Sequence, residues 1–200
     1  MRLGVLASGS GTILRAILDR GLPVVVVVVD RACGAVEVAR GAGVPVEVVE
    51  RTEFGPSFDR VGYTRRVVEV LTHSAVDLVA MAGFMTILES PLFDAYGGRI
   101  TNTHPALLPA FKGARAVEAA VEAGVKVTGC TVHIATLDVD DGPILAQEAV
   151  EVLPGDTVET LHERIKEVER RLYPGVLDRL VRGDGIPTAK AGPAAMRDER

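Results

Sequence analysis

Apolar residues fall along this chain in short blocks closed by glycine or polar residues, and the blocks switch repeatedly between a strand-like and a helix-like period. Arg2 to Ala7 is a short apolar run ending in Ser8-Gly9-Ser10-Gly11-Thr12, after which Ile13, Leu14, Ile17 and Leu18 recur at helical spacing. That order predicts strand, glycine-rich turn, helix. Val24 to Val29 is a β-branched run without alternation, the mark of a strand buried on both faces of a parallel sheet. Gly34 to Gly41 predicts a short helix and Val44 to Val49 a third strand. Ser57 to His73 predicts an amphipathic helix capped near Ser57 or Asp59, and Val76 to Ala82 a fourth strand.

After Gly83 the alternation continues with a short helix around Pro91 to Tyr96, a strand over Arg99 to Asn102 and a helix from about Arg115 to Glu122. Strands that alternate with helices argue for a mostly parallel sheet joined by right-handed crossovers. The pattern then changes. Val127 to Thr136 alternates between two faces, and Ile144 to Val150 follows after only a short acidic connection. Such a pair predicts an antiparallel excursion rather than a crossover. From Thr157 a long helix runs through Leu161, Ile165, Val168 and Leu172, with Asp156 as its N-cap and Pro174 as a kink or break. The expected fold is a single-domain α/β protein over residues 1–183, with a three-layer, open, mostly parallel sheet and an antiparallel C-terminal part. The Gly/Pro/Ala-rich, charged stretch 184–200 is expected to be a poorly ordered tail.

Composition narrows the class. Two hundred residues, 48% hydrophobic and 24% charged with a net charge of -5, suit one domain with a sizeable core. The valine run is far too short to span a bilayer, and Met1-Arg2 leads straight into LGVLA without a signal-peptide plan. A cytoplasmic enzyme or binding domain with no membrane partner is expected. Cys33 and Cys130 stand apart without CxxC spacing, which argues against a disulfide framework and a zinc site. Mild acidity and the lack of a Lys/Arg run or aromatic platform argue against an extended nucleic-acid surface and leave room for one small anionic substrate.

Chemistry concentrates in Arg99 to Gly113, RITNTHPALLPAFKG. Asn102 and His104 are two apart, so in an extended segment their side chains share a face and can converge on one reacting atom. Pro105 disfavours helical geometry for the residue before it, which should hold His104 extended at a strand end. An imidazole can give or take a proton, and an amide NH2 can donate to a developing oxyanion. The pair suggests acyl-type transfer; the plainer reading is a strand-end histidine in an Asn-x-His-Pro turn.

Three further segments bear on this. Gly9-Ser10-Gly11 after the first strand, with Asp30 at the end of the second, imitates a dinucleotide fingerprint and its ribose-binding acid. The third glycine is missing, since Leu14 stands there, and no Gly-Lys-Ser/Thr follows as a P-loop requires. What remains is an anion site made by the backbone N–H groups of Gly11, Thr12 and Ile13 at a helix N-terminus, or else a tight turn. Met81 to Leu88, MAGFMTIL, follows the fourth strand at the carboxyl edge where open α/β sheets bind ligands. Its apolar side chains and free backbone groups suit a flat heteroaromatic ring, or a core patch. Leu137 to Pro143, LDVDDGP, crowds three acids into one loop, but Ala149 fills the position of an EF-hand's closing glutamate.

In order and spacing, Ser8-Gly9-x-Gly11, Ala82-Gly83-Phe84-Met85, Asn102-x-His104-Pro105, Thr131-Val132-His133 and Asp140-x-Gly142-Pro143 resemble the folate-dependent formyltransferases over roughly residues 1 to 183. The resemblance implies a Rossmann-like formyltransferase fold. It implies that Asn102, His104 and Asp140 are catalytic, with Asp140, not Asp138 or Asp141, beside the His104 imidazole and stabilising its cation. It further implies that Arg60, Met85, Thr86, Ile87, Leu88 and Asn102 hold the folate, that Gly11, Thr12 and Ile13 hold a substrate phosphate, that Glu169 contacts the acceptor's glycinamide or ribose portion, and that His133 has a supporting part. Read without the resemblance, Arg60 and Glu169 are surface side chains and His133 a plain strand histidine. Ile13 replaces a common Asn, Thr86 replaces a basic residue, and Arg115 stands where relatives often have His. Pro105 in place of a second histidine argues against the hydrolases of this group, and the chain is expected to hold neither their regulatory domain nor a tRNA-binding domain.

The implied activity moves the formyl group of 10-formyltetrahydrofolate, a co-substrate, to the primary amine of 5'-phosphoribosylglycinamide in de novo purine biosynthesis. Small-molecule substrates are expected, without metal, nucleic acid or a covalent enzyme intermediate, and a homodimer is left open. Two alternatives stand: a formyltransferase acting on another amine, such as an amino-sugar nucleotide, and a non-catalytic phosphate-ligand module that uses only the glycine loop.

Overall fold

A computed structural model describes residues 1–183, and the expected tail 184–200 lies outside the described residues. The β-branched and apolar blocks form strands, and the amphipathic blocks between them form helices that cover both faces of one sheet. In chain order these are β1 (Leu3–Ala7), α1 (Thr12–Asp19), β2 (Val24–Val29), α2 (Gly34–Gly41), β3 (Val46–Val48), α3 (Arg60–His73), β4 (Leu78–Met81), α4 (Ser90–Tyr96), β5 (Ile100–His104), α5 (Ala116–Glu122), β6 (Val127–Ile134), β7 (Ile144–Glu151) and α6 (Val158–Arg182).

The sheet has seven strands in the order β3-β2-β1-β4-β5-β6-β7. The first five pair in parallel, while β5–β6 and β6–β7 are antiparallel. The mixed, mostly parallel architecture expected from the alternating blocks is therefore the observed one. β1 lies between β2 and β4, so the chain winds outward first to one side and then to the other. That reversal opens a crevice at the carboxyl ends of β1 and β4, where such sheets bind ligands.

Period-two alternation sorts the strand side chains into two cores. Leu3, Val5, Ala7, Val27, Val29, Leu78 and Ala80 pack with Leu14 and Ile17 of α1 and with Tyr173, Val176 and Leu177 of α6. Leu6, Val26, Val28, Val79 and Ile100 face the other way, against Tyr63, Val67 and Leu71 of α3 and Leu92 of α4. This is the three-layer arrangement, and each fully buried Leu or Val contributes roughly 1.5–3 kcal/mol of transfer free energy. A third cluster joins Val117, Cys130, Val150, Leu161 and Ile165 beneath the antiparallel strands.

Several local expectations change. α3 starts at Arg60, with Asp59 as its N-cap accepting from the Gly62 N–H at 2.9 Å. The N-cap of α6 is Thr157, not Asp156: the Thr157 hydroxyl and Thr160 form a reciprocal capping box. Asp156 instead accepts from the Leu153 N–H and pairs with Arg164, a better use of a carboxylate that has a guanidinium within reach. Pro174 does not end α6, which runs unbroken across it. Tyr173, Val176, Leu177 and Leu180 on either side are buried, and that packing outweighs the one lost backbone hydrogen bond. β5 extends to His104 rather than stopping at Asn102.

Candidate active site

The carboxyl ends of β1, β4 and β5 are joined by loops that hold one another. The Ser8 N–H donates to the Gly83 carbonyl at 3.2 Å, and the Met85 N–H donates to Ser8 Oγ at 2.9 Å. Between these loops and the β6–β7 connection lies a cavity of about 150 Å³, lined by Met81, Phe84, Met85, Thr86, Ile87, Leu88 and Phe93 on one side and Asn102, His133, Leu137, Val139 and Asp140 on the other. Its wall is mostly apolar, with Asn102, His133 and Asp140 gathered at one end. Met85 and Ile87, on the loop after β4, are 66% and 55% exposed.

β5 supplies the polar end. Asn102 and His104 project from the same face, as their spacing requires, and each sits opposite a β6 residue: Asn102 against His133 and His104 against Thr131. The Asn102 amide nitrogen is 3.2 Å from His133 Nε2, while His133 Nδ1 donates to the Ile134 carbonyl at 3.0 Å. An amide nitrogen carries two N–H bonds, so contact with one histidine leaves another hydrogen free. His104 Nδ1 is 3.2 Å from Asp140 Oδ2, and His133 Nε2 is 3.5 Å from Asp140 Oδ1. One carboxylate thus bridges both imidazoles.

The loop that carries Asp140 is shaped for this. Asp140 itself has a positive φ of 55°, and Gly142 passes so close to the Ile134 carbonyl that an added Cβ would clash with it. Asp140 is 9% exposed, whereas Asp138 and Asp141 face solvent. Burial pushes its carboxyl up, but the neighbouring His133 ring, the Gly113 N–H at 2.9 Å and the nearby His104 together hold it below the ordinary value. Lys112 pairs with Asp141 and fastens the Pro105-to-Gly113 loop to the acidic loop.

His104 does not line the cavity. It lies behind Asp140, with Nε2 donating to the Phe111 carbonyl at 2.8 Å. Phe111 has a positive φ of 53°, which turns that carbonyl toward the ring. No sequence pattern announces this contact, because a backbone carbonyl has no residue type.

On the opposite face of β5 the Thr103 hydroxyl donates to Glu169 Oε1 at 3.2 Å. Glu169 is 6% exposed, not the surface glutamate of the plainer reading, and burial raises its pKa against weaker lowering by Thr103, Lys166 and Arg170. The glycine loop forms a separate groove of about 270 Å³, lined by Ser10, Gly11, Thr12, Arg15, Ala16, Asp19, Val38 and Arg170. Gly11 has φ 78° and lies against Ala35 Cα, where no side chain fits, and no side chain caps the first turn of α1. Arg15 and Arg170 line the groove and were not picked out from the sequence; the second follows Glu169 directly, and that adjacency was the available signal. Ile13 packs its side chain against the core, leaving only its backbone toward the loop. Arg60 lines neither space and stacks 5.3 Å from the Phe58 ring. Among the described residues there is no group of three His, Cys, Asp or Glu able to hold a metal ion, and no helix is long and apolar enough to cross a membrane.

A family model described as formyl transferase matches residues 1–177. The chain belongs to the formyl transferase family. Among curated formyl transferases it is 49% identical over 176 residues to the phosphoribosylglycinamide formyltransferase of Mycobacterium tuberculosis, covering 86% of this chain and 80% of that protein. It is 42% identical over 199 residues to the trifunctional purine biosynthetic protein adenosine-3 of Gallus gallus, covering 96% of this chain but only 19% of that much longer protein. The crystal structure of glycinamide ribonucleotide transformylase 1 from Symbiobacterium toebii superposes with a TM-score of 0.85 at 45% identity, covering 92% of this chain and 88% of that one.

Proposed function

We propose that this chain transfers the formyl group of 10-formyltetrahydrofolate to the amine of 5'-phosphoribosylglycinamide, a reaction of purine biosynthesis. The observation that carries the reading is the convergence of Asn102, His133 and Asp140 at the polar end of an apolar cavity, with His104 held directly behind by Asp140. A flat pterin matches the walls made by Met85, Ile87, Leu88 and Val139, and the exposed backbone of that loop offers hydrogen bonds to the ring edge. The groove at Gly11 and Thr12 suits the acceptor's phosphate, and Glu169 lies on the α6 side of β5 for its glycinamide or ribose hydroxyls.

In this reading the acceptor amine attacks the formyl carbon, and the carbonyl electrons move onto oxygen. Asn102 donates its free N–H to that oxyanion. His104 gives the Nε2 proton that it shares with the Phe111 carbonyl to the folate nitrogen, which then leaves as the carbonyl re-forms, and takes one back from the attacking nitrogen. Asp140 keeps the imidazole oriented and stabilises its cation. Nε2 reaches the reacting atoms once the Phe111 carbonyl moves aside, since catalytic hydrogen bonds tighten in the substrate complex. Arg60 enters as a folate contact only if its side chain leaves the Phe58 ring.

The acceptor is tested by following conversion of 10-formyltetrahydrofolate to tetrahydrofolate with phosphoribosylglycinamide, with an amino-sugar nucleotide, and with no acceptor. The expected result is rapid conversion with the first only. Conversion that depends on the sugar nucleotide would move the protein to the other branch of the family, and conversion without any acceptor would make it a hydrolase.

A further inference from the structure

Asp30 is the part of the glycine-loop pattern that formyl transfer leaves unused. It directly follows β2, away from the reacting groups, yet it is 1% exposed. Its partner is Thr86, also 1% exposed although its neighbours Met85 and Ile87 project outward. The run from Ala82 to Leu88 has no helix or strand of its own, so its shape depends on tethers. The Ser8 N–H holds the Gly83 carbonyl, the Ser8 hydroxyl holds the Met85 N–H, and the Thr64 hydroxyl accepts from the Glu89 N–H at 3.1 Å. The Ala82 N–H donates to the Leu6 carbonyl at 2.8 Å, and a further tether is the Thr86 hydroxyl, which donates to Asp30 Oδ2 at 2.9 Å. It is the inward anchor of the residues that wall the cavity, and its acceptor is a buried carboxylate, the strongest kind. Arg31 Nε donates to the other oxygen at 3.0 Å and balances the charge. Burial pushes the Asp30 carboxyl up, but Arg31, Thr86 and Ser8 outweigh it, so the group stays ionised.

We propose that Asp30 is a positioning residue for the formyl donor: through Thr86 it holds Met85 to Leu88 in the donor-binding shape, and so sets affinity for reduced folate rather than the rate of transfer. The inference rests on the formyl-transfer reading above. The test is calorimetry of the full chain with 5-formyltetrahydrofolate, using wild type, Thr86→Val, Thr86→Ser, Asp30→Ala and the Asp30→Ala/Thr86→Val double variant, with donor KM and kcat measured alongside. Thr86→Val should weaken binding about ten-fold, the cost of losing a hydrogen bond to a charged group, while Thr86→Ser stays within about two-fold of wild type. The double variant should bind no more weakly than the poorer single one. The loss should fall on the donor KM, with kcat and the acceptor KM moving much less. If Asp30→Ala fails to fold, the contrast between Thr86→Val and Thr86→Ser decides. Thr86→Val that binds like wild type, or single effects that add in the double variant, would overturn the inference alone. A wild type that binds no reduced folate would overturn it together with the formyl-transfer reading.

Discussion

Two buried carboxylates flank β5, and they titrate in opposite directions. Asp140, on the face of Asn102 and His104, is held below its ordinary value although burial opposes this. Glu169, on the face of Thr103, is raised by burial because the Thr103 hydroxyl and two distant cations compensate too little. Both are nearly closed to solvent, but Glu169 lies deeper in the protein, so heavier desolvation and weaker donors together raise it while the donors around Asp140 win. Asp140 is an anion built into the apoprotein. Glu169 accepts from one neutral hydroxyl, that of Thr103, a much weaker set of donors.

The largest break in this comparison should come from Asp140→Asn. It keeps the shape but removes the charge shared by two imidazoles, and kcat should fall about 10²- to 10⁴-fold with little change in thermal stability. Asn102→Ala, on the same face, should cost about 10²-fold in kcat through loss of one oxyanion donor. Steady-state kinetics check both. Glu169→Gln should act on the acceptor instead, raising its KM by about ten-fold while kcat changes less. Tyr173→Phe sharpens the contrast further. The Tyr173 hydroxyl donates to the Thr101 carbonyl at 2.9 Å on the same face as Glu169, and its loss should cost about 1 kcal/mol of stability in urea melts and leave turnover near normal.

The smallest effect is a matter of pH. Glu169 has a folded pKa above the 4.5 of an exposed glutamate, so the native state binds the extra proton and its contribution to stability is fully present below 4.5 and lost as pH rises through the folded value. Asp140 behaves oppositely: its contribution is present above 3.8 and lost as pH falls through its lower folded value. Glu169→Gln should remove the first slope from a stability-against-pH curve and leave the second.

Much of this was readable from the chain. The sheet followed from alternating blocks, because period two and period 3.6 leave different stripes, and the shared face of Asn102 and His104 followed from their spacing. Asp140 was legible only through the resemblance, whose Asp-x-Gly-Pro pattern falls on Asp140-Asp141-Gly142-Pro143, since Asp138 and Asp141 stand in the same loop. Glu169 was half legible: it stands four residues after Ile165 and four before Tyr173, in the buried stripe of α6. The cap of α6 was misplaced because Asp156 and Thr157 are both good caps, and the choice depended on Arg164, a residue eight positions beyond Asp156. The Phe111 carbonyl, the Gly113 N–H and the link from Thr86 to Asp30 were hidden, two of them backbone groups and the third a contact between residues 56 apart.

The central claim is that His104, oriented by Asp140, moves the proton in formyl transfer. Its most direct test is the absorbance change as 10-formyltetrahydrofolate becomes tetrahydrofolate with phosphoribosylglycinamide present, for wild type and His104→Ala at equal folded concentration. The account predicts acceptor-dependent conversion by wild type and a loss of at least about 10²-fold in the variant. A variant that kept near-normal turnover would contradict it.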